Sequence, residues 1–98
     1  MIDLKPEHEM IVKSILKQYV PGTECYAFGS RVTFTAKPHS DLDLVIVGKE
    51  EIPLRSLYLL DEAFVESDLP FRVDVLDWQA IGDDFRNRIS SNLCRILF

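Results

Sequence analysis

Apolar residues recur at helical spacing near the start of the chain, where Met10, Ile11, Ile15 and Tyr19 fall on one face of a 3.6-residue repeat. Pro6 suits a first helical position and Pro21-Gly22 stops the run, so the spacing predicts an amphipathic helix over 6–19. The period then shortens. Residues 25–28 (CYAF) are a short apolar stretch ending at Gly29, which suits a buried strand turning sharply into a loop or short helix. Residues 42–47 (LDLVIV) are Leu, Val and Ile broken by one acid, the composition of a central strand covered on both faces. A second helix is expected over 53–67, with Leu54, Leu57, Tyr58, Asp61, Phe64 and Val65 as a mostly apolar stripe that ends before Pro70. Residues 71–77 (FRVDVLD) alternate Phe71, Val73 and Val75 against Arg72, Asp74 and Leu76, a third strand whose Asp74 faces away from the valines. Over 83–98, Phe85, Ile89, Leu93 and Ile96 or Leu97 share a helical face, which predicts a closing helix started by Asp83 and Asp84. The order α-β-(short α)-β-α-β-α, without linker or repeat, predicts one α/β domain over 1–98, a small sheet flanked by helices.

A chain of 98 residues leaves little core for a deep pocket, so a substrate site is expected to be an open groove. The formal charge of −5 argues against a broad nucleic-acid surface, which needs Lys and Arg to neutralise many phosphates. Cys25 and Cys94 sit in apolar contexts without zinc-type spacing and are expected to be reduced, buried thiols. No stretch of 18 apolar residues and no basic-then-apolar leader is present, which gives the expectation of a cytoplasmic protein with no membrane partner.

The chemistry concentrates in 29–43, GSRVTFTAKPHSDLD, a Gly-Ser pair followed after ten residues by Asp-x-Asp. Side chains two residues apart on a strand share a face, so Asp41 and Asp43 form a carboxylate pair suited to Mg²⁺, a hard cation that takes oxygen ligands. A Gly29-Ser30 turn presents backbone N–H groups and a hydroxyl with no bulky side chain in the way, as a phosphate-binding loop needs. Asp74, inside the next apolar strand, makes a triad if the two strands are neighbours. Arg31 fits either a bidentate phosphate contact or a solvated loop arginine. His8, His39 and Lys37 read as surface residues, and Trp78 as packing at a strand end. Neither a P-loop nor a dinucleotide-binding glycine motif occurs.

With its Gly-Ser, ten residues and Asp-x-Asp, the string resembles the signature of the nucleotidyltransferase superfamily with the DNA polymerase β type of fold. The small size, Arg31 after the Gly-Ser pair, the Ala36-Lys37-Pro38 segment and the later Val73-Asp74 are most similar to the minimal nucleotidyltransferase (MNT) group. The resemblance implies a small mixed sheet flanked by helices and transfer of AMP from ATP to a hydroxyl. It implies that Gly29 and Ser30 hold the nucleotide's phosphates, that Asp41 and Asp43 ligate two Mg²⁺ ions, and that Asp74 ligates the catalytic ion and takes the proton of the attacking hydroxyl. It also implies a HEPN-type toxin as partner in a hetero-oligomer, neutralised by AMP added to a tyrosine. A catalytically weak binding module and a transferase acting on a small molecule are the rival readings. The family's usual glycine near the position of Phe34 is absent here.

Overall fold

A computed structural model describes residues 2–98. Its elements are α1 (Pro6–Tyr19), β1 (Glu24–Phe28), α2 (Ser30–Thr33), β2 (Leu42–Val47), α3 (Leu54–Glu66), β3 (Val73–Asp77), α4 (Asp83–Ser90) and β4 (Cys94–Ile96). The four strands form one mixed sheet in the order β3-β2-β1-β4. β1 runs antiparallel to both its neighbours, β2 and β4, while β2 and β3 are parallel and joined by the α3 crossover. Among the described residues no helix is long and apolar enough to cross a membrane.

Alternation along the strands divides the sheet into two faces. Leu42, Leu44 and Ile46 of β2, Cys25 and Ala27 of β1, Val73 of β3 and Ile96 of β4 pack with Val12 and Leu16 of α1 and Leu60 and Phe64 of α3. Burial here pushes the Cys25 thiol up to about 12, which makes it an inert apolar residue. The opposite face carries Asp43 and Val45, and α4 lies against it, with Phe85 meeting Phe28 edge-on at 6.1 Å between ring centroids. Catalytic candidates therefore sit on the face that the larger core does not use.

The closing helix is shorter than the sequence predicts. Helix α4 stops at Ser90, a turn follows at Ser91-Asn92, and 94–96 form an edge strand on β1. Leu93, Ile96 and Leu97 fit a helical stripe by spacing, but Ser and Asn favour turns, and Cys94 and Ile96 gain a backbone partner and cover for the Cys25 side of β1. Cys94 is half-buried, not buried. The apolar stripes of the two long helices are also rotated from the expected ones. α1 buries Val12 and Leu16 and leaves Met10 exposed, and α3 buries Leu60 and Phe64 while Leu54, Tyr58 and Val65 face solvent. β3 begins at Val73, two residues later than the alternation suggests.

Asp77 ends β3 as a buried carboxylate that accepts the Ile52 N–H at 2.7 Å and the Gln79 N–H at 3.1 Å. It thereby ties the segment entering α3 to the end of the strand that α3 leads into.

Candidate active site

The register brings two of the expected residues, Asp43 and Asp74, into one row with Phe28. Phe28 lies opposite Asp43, and Asp43 lies opposite Asp74, so the row crosses β1, β2 and β3 on one face. The neighbouring strands required for Asp74 to join Asp43 are thus present, and in parallel register. Immediately after Phe28 the chain turns through Gly29 into α2. Gly29 has φ +82°, and a Cβ there would lie 2.6 Å from Asp43 Oδ2. Glycine is needed at this point twice over, for the backbone angle and for the approach of the carboxylate.

Helix α2 has no side-chain cap at its start, so the leading amides of Ser30 and Arg31 face out at the end nearest Asp43. The helix ends on Phe34, a non-glycine residue with φ +58° and ψ +36°, whose N–H donates to the Ser30 carbonyl. Phe34 thus holds the left-handed conformation that glycine adopts without cost, and the residue is 55% exposed.

Arg31 has a role that neither of its sequence readings describes. It is 6% exposed, and its guanidinium lies 4.2 Å from the centroid of the Phe71 ring. It donates to the carbonyls of Asp3 (2.9 Å), Pro38 (3.2 Å) and Ser40 (3.1 and 2.8 Å). Four of the five N–H donors an arginine owns are spent in this way. Arg31 is consequently a buried clamp on the spacer that delivers Asp41, and it is neither a solvated residue nor one aimed at a phosphate. Lys37 and His39 lie exposed on that spacer, and Trp78 is half-buried beneath the Arg86 guanidinium, 4.9 Å from its ring centroid.

Burial, the charge of Asp74 and the charge of Asp41 all hold the Asp43 carboxyl above the ordinary aspartate range. Asp41 itself is exposed just ahead of β2 and reaches Asp43 through its charge. Asp43 and Asp74 line a groove of about 530 Å³, together with Phe28, Phe85, Asp61 and Arg72. A larger groove of about 740 Å³ between α1 and α3 is remote from these acids and lined by Met10, Ile11, Ile15 and Tyr19. Asp61 and Arg72 were not singled out by motif. The signal available for Asp61 is an acid inside the apolar stripe of a helix, and for Arg72 a base two residues ahead of Asp74.

An Asp-x-Asp segment leading into β2, a glycine turn beside it and a parallel partner strand with its own acid match the pattern that resembles the nucleotidyl-transferring enzymes, and comparison with known proteins shows that class. The model of the nucleotidyltransferase domain family matches residues 9–97, and the chain belongs to that family. It is 51% identical over 88 residues to the probable protein adenylyltransferase MntA of Haemophilus influenzae, an alignment that spans 90% of this chain and 77% of that protein. Solved structures share the fold at low identity. One is a toxin–antitoxin complex with AMP-PNP (TM-score 0.76, 19% identity, 95% of this chain and 73% of that one). Another is a tri-AMPylated Shewanella oneidensis HEPN toxin bound to its MNT antitoxin (TM-score 0.73, 16% identity, 96% and 72%).

Proposed function

We propose that this nucleotidyltransferase moves AMP from ATP onto a tyrosine hydroxyl of a HEPN-type partner toxin and acts as its antitoxin. The observation that carries the reading is the in-register Asp43–Asp74 pair beside the Gly29 turn, in a chain half identical to a probable protein adenylyltransferase. In the reaction the hydroxyl oxygen forms a bond to the α-phosphorus, the bond from that phosphorus to the bridging oxygen breaks, and pyrophosphate leaves. The hydroxyl proton passes to Asp74.

The donor set suits Mg²⁺. Asp41, Asp43 and Asp74 offer only carboxylate oxygens, and a dication would relieve both the burial of the Asp43 charge and its repulsion by Asp74 and Asp41, which together hold that carboxyl high. Two bound Mg²⁺ ions would neutralise charge on the phosphates and favour attack at the α-position. The chain's own work is positioning. The leading amides of α2 and the Ser30 hydroxyl hold phosphate oxygens, Gly29 lets them approach Asp43, and the Arg31 clamp fixes the spacer that carries Asp41.

Incubation of the chain with Mg²⁺, the partner toxin and ATP labelled at the α- or the γ-phosphate tests this reading. Label from the α-position alone, recovered on a toxin tyrosine, is the expected result. A tight complex that never acquires label would replace it with the binding-module reading, and label on a small molecule would place the acceptor elsewhere.

A further inference from the structure

The groove wall holds an ion pair that the reaction as described does not use. Arg72 Nε lies 3.3 Å from Asp74 Oδ1, with the two side chains 76% and 43% exposed. Arg72 lies just ahead of β3, two residues before Asp74, and its guanidinium reaches the carboxylate that the reaction assigns to a metal ion and a proton. An arginine and a divalent cation are both drawn to this carboxylate, and the positive charge of the one opposes the other. For a metal to take Oδ1 the pair has to open, and the displaced guanidinium then needs a second acceptor.

Asp61 is the acid placed to receive it. It projects from α3 into the same groove, lined by Asp43, Asp61, Arg72 and Asp74. It is in electrostatic contact with both members of the pair: partial burial and the charge of Asp74 hold its carboxyl high, and Arg72 acts in the opposite direction. We propose that Arg72 is a resident counter-ion of Asp74 that yields to the metal, and that Asp61 is the positioning residue that takes up the displaced guanidinium. The two residues together then set how readily the site accepts its divalent cation. This inference rests on the metal-dependent reading of the site.

Binding of Mn²⁺ alone, followed by electron paramagnetic resonance of the free ion, tests it without catalysis. Exposed ion pairs contribute up to about 1 kcal/mol, so Arg72→Ala and Arg72→Gln should each tighten Mn²⁺ binding about two- to fivefold at low salt, less at high salt. Asp61→Asn should weaken it by a similar factor in the parent chain. The deciding quantity is Asp61→Asn in the Arg72→Ala background, where most of that loss should vanish. Loss of equal size in both backgrounds would reduce Asp61 to a distant charge and overturn the proposal, as would Arg72 variants that bind no more tightly. Asp43→Asn and Asp74→Asn serve as controls: if neither weakens Mn²⁺ binding, the metal-dependent reading itself fails. Arg72 and Asp61 are both on the surface, so these variants keep the core packing of the parent.

Discussion

Asp43 is held on the sheet at an energetic cost, and that cost has a measurable sign. Its carboxyl titrates above the ordinary value because of burial, Asp74 and Asp41, so the folded state binds its proton more readily than the unfolded chain does. The stability associated with that proton is complete below about pH 4 and is lost as pH rises through the raised pKa. Asp43→Asn removes the penalty. The variant should melt above the parent at pH 7 in the absence of metal, the difference should close toward pH 4, and transfer activity should be absent. Retained activity would contradict the role assigned to Asp43. Phe34 is the second residue held at a cost, roughly 1–2 kcal/mol for a left-handed non-glycine backbone. Glycine's greater freedom in the unfolded chain offsets part of the relief, so Phe34→Gly should stabilise by about 0.5–1 kcal/mol, a rise of a few degrees in Tm. A fall in Tm would show that the exposed ring makes contacts worth more than the backbone strain.

Among the elements, the spacer between α2 and β2 depends most on one side chain. Pro38 and Ser40 offer their carbonyls to Arg31, and Lys37 N–H donates to Ser40 Oγ at 2.8 Å, so a segment without regular structure is fixed at several points. A lysine carries one compact ammonium in place of a planar fork and cannot span three carbonyls while lying on Phe71. Arg31→Lys should therefore cost about 2–3 kcal/mol, read as a lower urea midpoint at unchanged slope, and should lower transfer through the displaced spacer. A midpoint within error of the parent would remove Arg31 from this role. The clamp was not legible in the sequence because its acceptors are backbone carbonyls, which no residue letter marks. Buried Asp77 escaped notice for the same reason, since its partners are the N–H groups of Ile52 and Gln79.

In the molecule as a whole, the parts decided by local pattern were the parts the sequence showed. LDLVIV has the composition of a central strand, and alternation around Asp74 sets which face that acid uses, so both acids can be placed on strands before their register is known. What depended on distant partners was hidden. The 94–96 segment is a strand only because β1 offers it an edge, and the phases of α1 and α3 are set by which residues meet the sheet, not by where each apolar arc seems centred. The parallel pairing of β2 and β3 carries a consequence in time. Asp74 follows its partner Asp43 by 31 positions in the chain, and a ribosome adding roughly 5–20 residues per second needs some seconds to supply the second after the first. Until then the nascent chain has Asp41 and Asp43 but no strand to set beside them. A copy released before Asp74 is made would lack the carboxylate that the proposed reaction uses as its proton acceptor, whatever the state of the Gly29 turn and of Asp43.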